Sequence, residues 1–420
     1  MRVLWLSVTP SLYKEEKIGG WIASLENIVH KYAEKIIELG IAFETNEHAE
    51  FKVIKNNTIY YPIVRNSSMY SKIVSRMSIR KHWETLRSKL LRIIADFKPD
   101  IIHCFGSEWP YGAIVTDVTI PVVVHMQGFL NVYNLSQSMV VSRQDIKKTL
   151  GVNPVKIYHY LTANAYETGR VEFERELMAA NHYFMGRTEW DMNICKYFSP
   201  GSKYFNVPEA IRPDIYDAAT CWSYKEAPLR LTTITQAGYL KGNEIILRTA
   251  KILKDELGLH FEWRVAGNKD LFPLFENKTR IRAEDVNVKL LGMIDTTQIV
   301  EELSSSMFYI HPAIIDNSPN SLCEAQLIGC PVIAANVGGI PQLVDDGRTG
   351  FLYPYNEPYT LAFMICNLKN NKDRLIQISR EEINNAKKRH DPKVISDRVI
   401  STYKDVIKDY KFHQASQKES

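Results

Sequence analysis

Little in this 420-residue chain belongs to the specialised protein classes, and each shortage closes off a function. There is no stretch of about 18 apolar residues, so no segment is read as spanning a membrane. The six cysteines (Cys104, Cys195, Cys221, Cys323, Cys330 and Cys366) show no C-x-x-C spacing. That excludes the usual zinc and disulfide frameworks and points to a reducing compartment. Lys and Arg number 52 against 48 Asp and Glu, a net charge of +4 that is too small to argue for a nucleic-acid partner. No Asp-x-Asp motif and no cluster of His, Asp and Glu announces a metal, and no internal repeat or low-complexity tract is evident. The opening MRVLWLSVTP is apolar but short and lacks a small-residue cleavage site, so it reads as a buried first strand instead of a signal peptide. The expectation is a cytoplasmic protein. With 45% hydrophobic residues over this length, two domains are the natural organisation.

In chain order, Arg2–Ser7 is read as the first strand. A polar loop follows, ending in Ile18-Gly19-Gly20, and then a helix from Trp21 to about Leu39 closed by Gly40. In parallel α/β units ligands collect at the carboxyl ends of strands, so Gly19 and Gly20 stand either at a binding edge or in a simple turn. Phe51–Val64 reads as two strands around Asn56-Asn57. Residues 51–100 carry eleven Lys or Arg against three acids, and 70–97 has helical periodicity. Such a segment either packs its apolar stripe on the sheet or lies on an anionic membrane surface. Pro99–His103 and Val122–His125 are strands that each end in a histidine, ligand-facing or structural. Residues 130–165 read as irregular. A helix at Tyr166–Ala180, a strand at His182–Met185, a helix capped by Thr188 and a strand at Tyr204–Val207 follow. Pro208, Pro213 and Pro228 mark a boundary, dividing the chain into 1–207 and 208–392. A last helix (393–412) follows the second domain, and the final ten or so residues read as disordered.

The second half alternates cleanly. Strands are expected at Leu229–Thr235, His260–Ala266, Val288–Leu291, Met307–His311, Pro331–Ala335 and Gly350–Tyr353. Helices are expected at Asn243–Glu256, Thr296–Ser305, Pro319–Ile328 and Tyr359–Asn370, which makes a doubly wound parallel sheet. Several strand-to-helix turns carry anion-binding chemistry. Gln236-Ala237-Gly238-Tyr239-Leu240-Lys241-Gly242 sets a lysine beside glycine, Gly267-Asn268 forms a small-residue loop, and Gly338-Gly339 forms another. The strongest is Asp316–Glu324. Ser318 is read as a helix cap with Pro319 at the first helical position, leaving the N–H groups of Asn320, Ser321 and Leu322 free to meet an anion. Glu324, inside that helix, is placed to accept hydrogen bonds from vicinal hydroxyls such as a ribose. Together these point to a phosphorylated, hydroxyl-rich ligand whose charge is met by Lys, Arg and helix N–H groups without a metal.

The run DNSPNSLCEAQLIGCPVIAANVGGIPQLVDDGRTGFL, starting at Asp316, resembles the acidic-x7-Glu segment of the retaining, nucleotide-sugar-dependent glycosyltransferases of family 4. Lys241-Gly242, Val265–Asn268, the PDIIH ending at His103, the IGG ending at Gly20 and the VVVH ending at His125 match in order. The late RHDPKVISDRVISTYKDVI is similar to the family's terminal helix. The resemblance implies the GT-B architecture: two Rossmann-like doubly wound parallel-sheet domains facing a central cleft, with a C-terminal helix crossing back to the first. It implies that Glu324 binds the donor ribose and Lys241 the diphosphate, with help from the backbone of Asn320, Ser321 and Leu322. Asp316 would contact the donor sugar, His125 would line the reacting centre, and Gly19 and Gly20 would let the first loop approach the donor. Gln236, Gly238, Gly267 and Asn268 complete the donor-side set. Two departures stand out. The family usually has Glu where this chain has Asp316, and Arg where it has Gln236; Arg187 and Arg212 are candidates to replace that charge. The implied partners are a nucleoside-diphosphate sugar and a carbohydrate or lipid-linked hydroxyl acceptor, as in bacterial surface polysaccharide assembly, with no cofactor. A non-catalytic sugar-nucleotide-binding protein, a nucleotide-sugar epimerase and a phosphorylase are the alternatives.

Overall fold

Strand β1 (Arg2–Ser7) shows why its neighbours read as continuous apolar runs. Val3 and Trp5 face one side of the sheet, Leu4 and Leu6 the other, and all four are buried. The computed structural model describes residues 1–14, 20–65, 78–142, 144–146, 154–219, 221–235 and 238–418. They form two units: Met1–Asn134 with Val152–Ala210 and Asp391–Ser420, and Leu135–Gly151 with Ile211–His390.

The first unit is an eight-stranded sheet in the order β3-β4-β2-β1-β5-β6-β7-β8. Its other strands are β2 (Glu38–Thr45), β3 (Val53–Lys55), β4 (Thr58–Val64), β5 (Ile101–Phe105), β6 (Val122–His125), β7 (Tyr183–Gly186) and β8 (Lys203–Asn206). Only β3 runs antiparallel, through a tight turn that places Asn56 and Asn57 at positive φ. Helices α1 (Trp21–Ala33), α2 (Ile79–Phe97), α3 (Pro154–Ala180) and α4 (Glu189–Phe198) cover the faces. Thr188 and Asp191 close a capping box on α4.

Two expectations fail here, and one left open is resolved. The helix after Gly20 stops at Ala33, and residues 38–45 are β2. Gly40 does not end a helix but lies under the Phe97 ring, where a Cβ would meet ring carbons at 2.9–3.0 Å. The apolar pattern of 36–39 continues the helical period by coincidence, and the sheet claims it. The irregular reading of 130–165 fails where the residues are described: Leu130–Val140 is helical and α3 begins at Pro154. The apolar stripe of α2 (Leu86, Leu90, Ile93, Ile94, Phe97) is buried against the sheet, and Arg80, Arg87 and Lys52 pair with Glu176, Asp117 and Asp96. Residues 66–77 of the basic stretch lie outside the described residues.

The second unit is a six-stranded parallel sheet in the order β11-β10-β9-β12-β13-β14. The strands are β9 (Leu229–Thr235), β10 (Phe261–Gly267), β11 (Val288–Gly292), β12 (Phe308–His311), β13 (Val332–Ala335) and β14 (Phe351–Tyr353). Its helices are α5 (Asn243–Lys251, continued by a π turn at Ile252–Glu256), α6 (Phe272–Thr279), α7 (Thr296–Ser305), α8 (Asn320–Ile328), α9 (Pro358–Leu368) and α10 (Lys372–Arg389). Leu135–Gly151 joins this unit, contrary to the 1–207 boundary: Val141 enters its core and Lys278 Nζ donates to Val140 O at 2.7 Å. The final helix, α11 (Pro392–Lys418), belongs to the first unit, packing Ile395, Val399, Tyr403 and Val406 into the α1 side of its core. It runs on past residue 412, into the tail read as disordered.

Candidate functional site

The carboxyl edge of the second sheet is crowded, and glycines permit the crowding. Gly242, after β9, has φ +77, and a Cβ there would lie 1.9 Å from Pro312 O. Gly338, after β13, has φ +54, and its Cβ would lie 2.0 Å from Asp316 O. Backbone bonds then lace the loops together, Ile314 N to Leu240 O at 2.8 Å and Gly339 N to Asp316 O at 3.0 Å. The β12-to-α8 loop is thereby held between the loops after β9 and β13.

Two buried acids sit on that loop and helix, each with its own cation. Lys241 Nζ lies 2.8 Å from Asp316 Oδ2, and His311 Nε2 lies 3.3 Å from the same oxygen. Burial alone would raise the Asp316 carboxyl, but the Lys241 charge and His311 overcome it and hold the group well below the usual carboxylate range. Arg212 Nη2 lies 3.0 Å from Glu324 Oε1, while its Nη1 donates to Thr296 Oγ1 at 3.2 Å. Glu324 is only 2% exposed, and there burial wins: the carboxyl is pushed up to about 7 despite Arg212. One acid is thus firmly ionised, and the other titrates near neutrality.

Helix α8 begins one residue later than expected. Pro319 takes the capping position (φ −70, ψ 120) with no side-chain cap bond, so neither the Ser318 cap nor Pro319 as first helical residue stands. The N–H of Leu322 donates back to Pro319 O at 3.0 Å and is not available to a ligand. Those of Asn320 and Ser321 have no partner among the described residues, and Asn320 Oδ1 is buried without one. Ser321 Oγ accepts from Tyr309 OH at 2.8 Å, and that hydroxyl lies 3.2 Å from His311 Nδ1. Sequence reasoning missed Tyr309 and His311, although the strand-end criterion that picked out His103 and His125 applies equally to His311.

The remaining candidates have different fates. Gly267 (φ +121) allows β10 to end against Thr235 O, and Asn268 Oδ1 accepts from Asp270 N at 2.8 Å, a turn contact. Gly238 sits in the turn leading to Lys241, whose N–H reaches Gly238 O at 3.4 Å. Gly19 and Gln236 lie outside the described residues. In the first unit, Gly20 caps α1, and Arg187 lies over the Trp21 ring (4.4 Å) with Nε 3.8 Å from Glu209. His125 is fully buried, its ring 4.9 Å from Trp21 and 5.3 Å from His103. Burial there drives its pKa well below the ordinary imidazole value. His103 is fully buried, and its Nδ1 lies 2.6 Å from Tyr403 OH.

Residues 230–371 fit the family model of the glycosyl transferases group 1. Those residues contain Lys241, Asp316 and Glu324, so the paired acids lie inside the matched segment. The amylovoran biosynthesis glycosyltransferase AmsK of Erwinia amylovora is 26% identical over 36% of this chain. The match spans 38% of that relative's length. The architecture extends over nearly the whole chain. Sucrose-phosphate synthase from Thermosynechococcus elongatus superposes with a TM-score of 0.71 at 11% identity, covering 96% of this chain and 98% of that one. Anabaena HepE in complex with UDP-glucose superposes at 0.63 and 14%, covering 96% and 100%. The fold is that of the GT-B glycosyltransferases, two parallel-sheet α/β domains with a helical C-terminus.

Proposed function

We propose that this chain transfers a hexosyl group from a nucleoside-diphosphate sugar to a hydroxyl acceptor with retention at the anomeric carbon, as a family 4 enzyme. The observation that carries this is the pairing of Lys241 with Asp316 and Arg212 with Glu324 around the start of α8. Glu324, at the edge of neutrality, accepts from the ribose hydroxyls. Lys241, Arg212 and the N–H groups of Asn320 and Ser321 meet the diphosphate, with Arg212 supplying the second cation and no metal required. Asp316 holds the sugar. The anomeric C–O bond to phosphate breaks as the acceptor oxygen bonds to the same face, and the acceptor proton passes to the departing phosphate oxygen. The first unit takes the acceptor.

The polysaccharide setting rests on relatives such as AmsK, and a sugar nucleotide donor is supported by the UDP-glucose held by HepE. No helix among the described residues is long and apolar enough to cross a membrane. With the α2 stripe buried, attachment to an anionic membrane face for a lipid-linked acceptor would rest on basic side chains alone and would collapse at high salt. A panel of UDP-, GDP-, TDP- and ADP-sugars tests the reaction by thermal shift and by nucleotide release with and without acceptor. One sugar nucleotide should stabilise the protein and be turned over. Stabilisation by none refutes the proposal, and binding without release favours a non-catalytic sugar-nucleotide-binding protein.

A further inference from the structure

At the carboxyl ends of β5 and β6 the first unit holds a second set of polar groups that the transfer chemistry above does not use. Gly106 follows β5 at φ +83, its N–H donating to His125 O at 2.8 Å, and the turn throws Ser107, Glu108 and Trp109 across the strand ends. The neighbouring acid Glu174 is fully engaged. It accepts from Ser107 Oγ at 2.7 Å, from the N–H groups of Leu130 and Asn131 at 3.0 and 2.9 Å, and from the Asn131 amide at 2.7 Å.

Glu108 is different. Its Oε2 is buried and has no partner among the described residues. The carboxyl lies where two glycines leave room: a Cβ on Gly106 would be 2.5 Å from Oε2, and one on Gly128 would be 2.9 Å from Oε1. Beside it Gln127 Nε2 is buried and equally without a partner among the described residues. The loop itself is fixed, because Arg170 Nη2 donates to Glu108 O at 2.7 Å and its guanidinium lies 5.3 Å over the Trp109 ring. Burial, and then the charge of Glu174, push the Glu108 carboxyl up to about 7 against its own backbone N–H, Arg170 and Arg187, so near neutrality it both accepts and donates. Buried polar groups left unmatched cost about 1–3 kcal/mol each, so a carboxyl and an amide side by side at one strand edge suit a ligand that carries hydroxyls.

We propose that Glu108 and Gln127 grip the hydroxyls of the acceptor, a neutral carbohydrate or polyol. A hydroxyl donates to the carboxylate and accepts from the amide, whereas a phosphate or carboxylate there would face the Glu108 charge. The proposal rests on the transferase reading above.

The test uses the full chain, with methyl α-D-glucopyranoside and myo-inositol as neutral probes and glucose 6-phosphate as the anionic one, in saturation-transfer NMR. Glu108→Gln and Gln127→Leu keep side-chain size. A neutral probe should bind the native protein, with affinity at least tenfold lower in both variants, while stabilisation by the sugar nucleotide selected above is unchanged. Neutral probes that bind neither protein, that bind native and variant equally, or that bind more weakly than glucose 6-phosphate overturn the proposal. Should Glu108→Gln fail to fold, Gln127→Leu carries the same comparison. Polyol binding that depends on both residues, in a protein that no sugar nucleotide stabilises, sinks the transferase reading and the acceptor role with it.

Discussion

The substitution Glu324→Gln isolates a single buried proton. In the folded chain the carboxyl titrates at about 7, against 4.5 for an ordinary glutamate. Between those values the folded state holds a proton that the unfolded state has released, so stability falls as pH rises, by up to about 1.4 kcal/mol per unit. Across the window this amounts to roughly 3 kcal/mol, present below pH 4.5 and lost by pH 7. The amide that replaces the carboxyl cannot titrate, yet its oxygen still accepts from Arg212. The difference in stability, variant minus native, should therefore grow by about 2.5 kcal/mol between about pH 5 and pH 8. For a unit of this size that corresponds to about 5–10 °C in Tm. Scanning calorimetry of both proteins in low-enthalpy buffers at half-unit steps reads it directly. A variant-minus-native Tm that stays constant across that range would show that Glu324 is not a buried, near-neutral acid, and the ribose assignment would lose its physical basis. The same substitution should abolish stabilisation by the sugar nucleotide.

Lys241→Met leaves Asp316 buried and charged with His311 as its remaining side-chain partner among the described residues, and should cost about 3 kcal/mol in denaturant unfolding. Adding Asp316→Asn should recover most of that loss, and a neutral single variant refutes the pairing. Tyr403→Phe removes the hydroxyl that accepts from Trp5 Nε1 at 3.0 Å and meets His103 Nδ1 at 2.6 Å. It should cost about 2–3 kcal/mol and leave sugar-nucleotide binding unchanged, so weaker binding at an unchanged Tm would contradict a purely structural His103.

The strand–helix alternation of 229–353 is legible because strands buried on both faces read as bare apolar runs, such as the FYIH of β12 or the VIAA of β13. Where two periods coincide legibility fails: Ile36, Ile37 and Leu39 continue the helical stripe of α1, although the chain has already left that helix and Leu39 belongs to β2. The helices Leu130–Val140 and early α3 mix aromatic, polar and small residues without a clear stripe, and nothing local marks them.

Glu324 and Asp316 could be picked out because their spacing around a helix start is a local pattern. Their cations could not be paired with them, since Lys241 reaches Asp316 across 75 residues and only the sheet's strand order brings the two loops together. Sequence alone thus determined the parallel α/β class, the glycine-bearing turns and the acids at the helix start, because each follows from short-range backbone and burial rules. The tertiary structure decided which acid is ionised and which rests near neutrality. That depends on burial and on which distant cation lies within about 3 Å, and neither is a property of a residue's neighbours in the chain.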